Sequence, residues 1–175
     1  TVAEIRIVEG MSGDGLELGN VAMTADDVLF VHAAGYDAFG NYVGDQNVTW
    51  SGTNDLAGII TGTSTKITFS PTTAPAVGAI SADHPTATDD VTGTITVGVG
   101  AEHHVKVLTG ASGDTPEVTT VGLTTGGTLE VHAASFDADD NYVTDISVGW
   151  SLSGDIGSLD TGVGVTTTLT AAAVG

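Results

Sequence analysis

The sequence repeats itself at an offset of 100 residues, and this duplication restricts the chain to a fold that can be built twice. Residues 31–34 return unchanged at 131–134, and residues 41–43 return unchanged at 141–143. The two copies align without a gap from residue 5 to residue 70. We therefore predict two domains, repeat 1 at residues 1–100 and repeat 2 at residues 101–175.

Each copy has the apolar alternation of short β-strands. In residues 29–33 the odd-numbered positions are apolar in both copies, whereas Phe30 is replaced by Glu130, so the odd positions face inward. Val48 and Trp50 alternate with polar residues in the same way. About seven such strands in about a hundred residues, separated by turn residues, predict an all-β Greek-key sandwich. The predicted strands of repeat 1 cover residues 5–7, 29–33, 48–50, 59–60, 67–69, 77–82 and 91–99.

Composition excludes several classes of function. The chain carries 3 Lys and Arg residues against 22 Asp and Glu residues, and so large a negative field repels nucleic acids and anionic membranes. There is no cysteine for disulfides or thiolate metal sites, and no apolar run long enough to enter a membrane as a helix. Scarce lysine with abundant aspartate is typical of secreted proteins, so we expect an extracellular location. Since the sequence begins at Thr1 without a basic and then apolar leader, we expect that a signal peptide or upstream sequence has been removed or left out.

The segment from Val31 to Val43, followed by Val48 and Trp50, resembles the bacterial immunoglobulin-like domain family. This family occurs in invasin- and intimin-type adhesins, surface-layer proteins and other surface fibres. The resemblance covers both repeats and implies tandem immunoglobulin-like sandwiches that act as spacers, stalks or adhesive tips. Repeat 2 departs from it where Asp139 and Asp140 replace Phe39 and Gly40, although Asn141, which tolerates a left-handed turn conformation, is kept.

Repeat 2 lacks the last strands of the sandwich. The sequence ends in a segment that matches residues 76–78, so the equivalents of residues 79–97 are missing. We expect an uncovered apolar face around Trp150. Three explanations stay open: the chain is a slice of a longer tandem array, a neighbouring copy donates the missing strands head-to-tail, or repeat 2 forms a smaller variant sandwich.

The acidic loop of each repeat is a candidate calcium site. Oxygen-bearing side chains alternate at its start, as hard cations require, and a calcium ion there would stiffen the junction near His103 and His104. The loop lacks the glycine and the bidentate glutamate of an EF-hand. The alternative is that Asp37 and Asp137 only cap a turn. The candidate ligands are Asp137, Asp139, Asn141 and Asp145 in repeat 2, with Asp37, Asn41 and Asp45 in repeat 1.

The remaining motifs favour a protein without catalytic activity. Residues 10–15 form a glycine turn rather than a nucleophile elbow, and no phosphate-binding or dinucleotide-binding loop is present. Adjacent histidines on a strand point to opposite faces, which argues against a zinc site at His103 and His104. His32 and His132 share a face with Glu130, so we expect them on the sheet surface. Both tryptophans are expected inside the sandwich rather than on a sugar-binding platform.

These observations predict a structural subunit or segment of an extracellular fibre, whose partners are adjacent repeats or further copies of the chain. A second hypothesis is an adhesin fragment that binds a receptor or glycan through its end loops. A third is a carbohydrate-binding module that accompanies a secreted enzyme.

Overall fold

A computed structural model of the chain describes residues 1–172, and these residues fold as an all-β protein. Within them the helical structure is limited to one 3-10 turn at Asn54–Leu56. None of the described residues belongs to a helix with the length and hydropathy needed to cross a membrane. The chain divides into two compact units, Thr1–Val99 and Gly100–Gly175. The all-β class predicted from the sequence is therefore confirmed, while the immunoglobulin-like topology stays a prediction.

Repeat 1 is built from short antiparallel ladders around one long central strand. Its strands are β1 (Glu4–Glu9), β2 (Val21–Thr24), β3 (Leu29–Tyr36), β4 (Tyr42–Asp45), β5 (Val48–Gly52), β6 (Thr61–Ser64), β7 (Lys66–Phe69), β8 (Ala76–Gly78), β9 (Ile80–Asp83), β10 (Asp90–Val91) and β11 (Ile95–Gly98). Strand β3 pairs with β1 along one edge and with β7 and then β4 along the other. A second sheet has the order β10-β9-β5-β6, and a third has the order β2-β11-β8 with β2 and β11 parallel.

The inward faces of these sheets enclose the main hydrophobic core, and Val8, Ala34 and Tyr36 form a smaller separate cluster. Odd-numbered residues of β1 and β3 supply one side of the main core, as the alternation predicts. Trp50 on β5 is 1% exposed and donates its indole N–H to the Ser64 carbonyl at 3.0 Å. The last strands complete the enclosure, because Ile80 on β9 and Ile95 on β11 are fully buried. Closure of repeat 1 therefore depends on the segment that contains β8 to β11.

Two of the predicted strands are broken in the structure. The predicted strand at residues 77–82 divides at Ala79, since β8 pairs with β11 and β9 pairs with β5. The chain thereby passes from one sheet to another, and the Thr92 hydroxyl accepts a hydrogen bond from the Ile80 N–H at 3.0 Å beside this break. The predicted strand at residues 91–99 divides into β10 and β11 in the same way. The predicted strand at residues 59–60 is wrong, because β6 begins at Thr61.

Repeat 2 reproduces the first half of this arrangement. Its strands are β12 (His104–Thr109), β13 (Thr128–Phe136), β14 (Tyr142–Asp145), β15 (Val148–Gly149), β16 (Gly157–Leu159), β17 (Val163–Gly164) and β18 (Thr166–Ala171). β13 pairs with β12 on one edge and with β18 and β14 on the other, in the same register as β3. β16 pairs with β18, and β15 pairs with β17. Within residues 100–172 no strand corresponds to β9, β10 or β11, and the segment that matches residues 76–78 lies outside the described residues.

The absence of these strands changes the strands that would contact them. β5 has five residues and pairs on both edges, whereas its counterpart β15 has two residues and pairs with β17 alone. Strand β2 exists where it pairs with β11, and its counterpart at residues 121–124 is not a strand. Strand formation at these positions thus depends on a partner strand, as expected for β-structure.

Side chains that are buried in repeat 1 are exposed in repeat 2. Ile5 and Ile7 are 1% and 0% exposed, whereas their counterparts Val105 and Val107 are 52% and 38% exposed. Leu56 is fully buried, and its counterpart Ile156 is 53% exposed. Trp150 is half-buried, so the prediction of a core position holds for Trp50 but is wrong for Trp150. We name the surface formed by Val105, Val107, Val148, Trp150 and Ile156 the open face.

Candidate functional site

The predicted calcium loop of repeat 2 begins with a buried carboxylate that is surrounded by N–H donors. Asp137 is 0% exposed. Its Oδ1 accepts hydrogen bonds from the backbone N–H groups of Asp139 at 3.0 Å and Asn141 at 2.8 Å. Its Oδ2 accepts one from the Gly100 N–H at 2.8 Å, and the Asn141 side-chain amide lies within hydrogen-bond distance of both oxygens. Asp137 therefore caps the turn at β13 with its whole carboxylate.

These donors decide the ionisation of Asp137. Burial raises the pKa of its carboxyl, but the hydrogen bonds donated by Gly100 and by the turn outweigh burial and hold the pKa below its usual value. In repeat 1 the carboxylate of Asp37, which is less buried, accepts hydrogen bonds from the backbone N–H groups of Phe39 and Asn41. The hydrogen bonds from Asn41 likewise lower the pKa of the Asp37 carboxyl, and the bond from the Asn41 backbone N–H has the largest effect. The capping role is thus common to both repeats.

The left-handed residue of the turn is not the asparagine that the sequence suggested. Gly40 has φ of 78° in repeat 1, and Asp140 has φ of 68° at the same position in repeat 2. Aspartate tolerates this conformation better than most residues with a Cβ. Asn141 acts instead through its side chain, which donates to Asp137. Asn141 tolerates the left-handed conformation but is not the residue that adopts it.

The last predicted ligand of each loop belongs to a different cluster. The Asp145 carboxylate accepts hydrogen bonds from the Gly113 N–H at 3.0 Å and the Tyr142 hydroxyl at 3.1 Å. Asp45 accepts the equivalent bonds from Gly13 and Tyr42 at 3.2 Å and 2.7 Å. In both repeats this carboxylate ties strand β4 or β14 to the glycine turn that follows the first strand.

The candidate ligands are therefore divided between two structural roles. Asp37 and Asp137, with Asn41 and Asn141, close the turn after the long strand, whereas Asp45 and Asp145 anchor the glycine turn. The Asp139 side chain is exposed beside the first group. Within residues 1–172 no three His, Asp or Glu side chains converge in a group that could hold a metal ion. Calcium binding stays a prediction, and the turn-capping alternative accounts for the contacts that are present.

The buried histidines are the principal site that the sequence analysis missed. His32 is 1% exposed and His132 is 0% exposed, so their predicted position on the sheet surface is wrong. In repeat 1 the ring nitrogens of His32 lie 3.1 Å and 2.8 Å from the carbonyl oxygens of Gly10 and Gly13. His132 repeats these contacts with Gly110 and Gly113 at 3.0 Å and 2.8 Å. The glycine turn folds over the histidine and covers it.

Each histidine ring lies between two backbone carbonyls. A ring nitrogen that carries a proton donates a hydrogen bond to the carbonyl oxygen beside it. The carboxylates that anchor the same turn supply negative charge, with Asp45 at 3.8 Å from Nε2 of His32 and Asp145 at 3.4 Å from Nε2 of His132. The sequence does contain a sign that these histidines are buried, which is the identical tetrapeptide at residues 31–34 and 131–134. An exposed histidine would have no packing reason to recur there.

Two of the three basic residues also occupy equivalent positions. The Arg6 guanidinium lies 4.3 Å from the centre of the Tyr36 ring, and the Lys106 ammonium lies 4.6 Å from the centre of the Phe136 ring. Lys106 also contacts Asp140 at 2.8 Å, and hydrogen bonding with Lys106 lowers the pKa of that carboxyl. In a chain with so few cations, this repetition indicates a cation–π contact that both modules use for packing.

His103 and His104 are closer together than strand alternation predicts. Their Nδ1 atoms lie 3.4 Å apart, because His103 precedes β12 and is not constrained by its pleat. Nε2 of His104 contacts the Asp140 carboxylate at 2.7 Å. The expectation that these side chains point to opposite faces is wrong.

The open face is bounded by two strand edges that are paired in repeat 1. There, β5 pairs with β9 so that Trp50 lies opposite Ala82 and Ser51 lies opposite Ser81. The free edge of β1 is also covered, since the Ile5 N–H donates to the Thr88 carbonyl at 2.9 Å and the Ile7 N–H donates to the Asp90 carboxylate at 2.6 Å. In repeat 2 no described strand occupies the position of β9 beside residues 149–151, whereas the outer edge of β12 is bonded to residues 116–118, since the Val118 N–H donates to the Val107 carbonyl at 2.9 Å.

No family model matches the sequence, and no curated protein matches it either.

Replacement of Asp137 by Asn is expected to destabilise repeat 2 by about 1.5–3 kcal/mol at neutral pH, the usual value of hydrogen bonds to a charged group. The folded pKa lies below the ordinary value of about 3.9, so the stabilisation is complete above that pH and is lost as pH falls through the folded pKa. Calorimetry from pH 7 to pH 3 should show a smaller acid destabilisation in Asp137→Asn than in the native chain. Equal acid sensitivity of the two proteins would contradict this role.

Replacement of His32 by Phe is expected to lower the free energy of unfolding of repeat 1 by about 1–3 kcal/mol, because the carbonyl oxygen to which the ring donates loses its partner. Urea denaturation followed by Trp50 fluorescence, with Trp150→Phe in every protein, measures the change. The control is His103→Phe, an exposed histidine, for which a change within about 0.5 kcal/mol is expected. A His32→Phe protein as stable as this control would exclude the proposed role of His32.

Proposed function

We propose that the chain is a non-enzymatic structural segment of an extracellular surface fibre built from successive β-sandwich modules. In this proposal, strands from an adjacent module or from a neighbouring copy close repeat 2. The observation that supports it most strongly is the open face, whose side chains are exposed or half-buried although their counterparts form the core of repeat 1.

The energetics favour a covered state for this face. Full burial of one large apolar side chain stabilises a protein by about 1.5–3 kcal/mol. The open face contains several such side chains, and the stability of a whole domain is typically about 5–15 kcal/mol. Covering the open face is therefore worth a substantial part of the stability that a module of this size can have.

The rest of the described structure supports a load-bearing rather than a chemical role. The conserved polar contacts of the two repeats, at Asp37, Asp45 and His32 and at their counterparts, all tie turns to strands within one module. Each of these carboxylates and imidazole rings is hydrogen-bonded to backbone N–H or C=O groups. Such contacts fix the shape of a module, which is the property that a repeated spacer requires.

The proposal does not depend on calcium, which a separate titration tests. A thermal midpoint that rises with calcium, in the native chain but not in Asp139→Ala, would support a calcium site at the acidic loop. A thermal midpoint that does not change with calcium would exclude a calcium site at the acidic loop.

Immunogold electron microscopy of intact cells that produce the protein tests the proposed function. Antibodies raised against the purified chain should label filaments or a layer outside the cell at regular intervals, because each module would present the same epitopes. Serum absorbed with the purified chain is the matched control. Gold confined to the cell interior, or scattered without relation to any surface structure, would refute the fibre proposal.

A further inference from the structure

Repeat 2 carries two imidazole nitrogens at the separation of two ligands on one metal ion. The Nδ1 atoms of His103 and His104 lie 3.4 Å apart, which is longer than an ordinary protein hydrogen bond. Zinc binds imidazole nitrogen tetrahedrally at about 2.0–2.1 Å, so two such ligands on one ion are about 3.3–3.4 Å apart. Neighbouring ligands in a square plane would be about 2.8–3.0 Å apart at the same bond length. The observed separation therefore matches tetrahedral zinc.

The His104 ring is held in one orientation by two neighbours. It stacks on the Phe136 ring, with the ring centres 5.9 Å apart, and its Nε2 contacts the Asp140 carboxylate at 2.7 Å. Because Asp140 accepts a hydrogen bond from Nε2, a neutral His104 ring keeps its lone pair on Nδ1, the atom beside His103. Metal-binding histidines almost always donate their other ring N–H to a carboxylate, a backbone carbonyl or water. The His104 ring is therefore preorganised as a zinc ligand.

The backbone of His103 is fixed as well, while its side chain stays accessible. Its N–H donates to the Phe136 carbonyl at 2.8 Å, immediately before β12 begins. The side chain is exposed, and with His104, Glu102 and Ser135 it lines a shallow cavity of about 160 Å³. A water molecule in the liquid takes about 30 Å³, so this cavity has room for more than one. Water can therefore fill the coordination positions that the two histidines leave open.

The comparison of the two repeats shows that these residues change together. Repeat 1 has Ala3 and Glu4 in place of the two histidines and Gly40 in place of Asp140. Asp140 has φ of 68°, and residues other than glycine that are held in this left-handed region cluster at functional sites. Because the same turn folds with Gly40 in repeat 1, the fold of the module does not require this aspartate.

We propose that His103 and His104 bind one zinc ion through their Nδ1 atoms, with water at the two remaining positions. Asp140 is a positioning residue, because it acts on the ion only through the His104 ring. The formal net charge of −19 attracts cations of every kind, and the two imidazole nitrogens select zinc over hard cations, which prefer oxygen ligands. This site is independent of the proposed fibre.

Isothermal titration calorimetry with zinc chloride tests the site in the full chain, which is expected to bind one zinc ion. Excess magnesium is present throughout, because it occupies oxygen sites and leaves imidazole nitrogens free. His103→Ala should weaken zinc binding by about 100-fold or more, since the remaining imidazole loses its paired ligand. Asp140→Asn should weaken it by about 10–100-fold, and asparagine tolerates the left-handed conformation. The control is His84→Ala, which should bind zinc like the native chain.

Nitrogen-15 NMR of the histidine rings identifies the coordinating atoms. Zinc should shift the Nδ1 resonances of His103 and His104 and leave the rings of His32 and His132 unchanged. Three results would overturn the proposal: no saturable zinc binding by the native chain, equal zinc affinity of the native and His103→Ala proteins, or coordination through Nε2. Equal zinc affinity of the native and Asp140→Asn proteins would exclude the positioning role of Asp140.

Discussion

The structure depends on one constraint, which is that an amphipathic β-sheet must bury its apolar face against another layer. In repeat 1 the segment from β8 to β11 satisfies this constraint. It forms one edge of the sheet that contains Trp50, supplies Ile80 and Ile95 to the core, and gives β2 a partner. In repeat 2 the same first-half strands are present in the same register, but their apolar face is open. The differences between the two repeats are concentrated where this covering segment would make contact.

The polar contacts explain why the first half of repeat 2 keeps its form although its core is open. The long strand β13 is held by a buried carboxylate at its end and by a buried histidine near its middle. The Asp137 carboxylate accepts hydrogen bonds from backbone N–H groups of the turn and of Gly100. The His132 ring lies within hydrogen-bond distance of the carbonyl oxygens of the glycine turn. Because the partners of these hydrogen bonds all lie within residues 100–141, the bonds do not require the strands that close a sandwich. They maintain an edge to which a further strand can be added.

Much of the fold was predictable from the sequence, because duplication reveals which residues must be conserved for packing. The exchange of Phe30 for Glu130 identifies the outer face of β3, and Phe30 is 42% exposed as that exchange predicts. The missing covering strands and the exposed surface around Trp150 were also predictable. The division of one predicted strand at Ala79 was not, because it arises when the chain moves between two sheets and leaves no turn residue in the sequence.

The polar sites were predicted less well, since proximity in sequence does not indicate which backbone groups a side chain meets. Asp137 and Asp145 are close in sequence but serve different turns. His32 was assigned to the surface because it alternates with the core, yet a loop some twenty residues away covers it. Conversely, Arg6 and Lys106 could have been identified, because two of the three basic residues in the chain fall at equivalent positions.

The central claim is that the open face leaves repeat 2 less protected than repeat 1 until further polypeptide covers it. Native-state hydrogen exchange of the unaltered, monomeric chain tests this most directly, by comparing residues 131–134 with the identical residues 31–34. The account predicts markedly faster exchange in repeat 2, because its opening exposes less apolar surface to water than the opening of repeat 1. Equal protection of the two tetrapeptides in a monomer would contradict it.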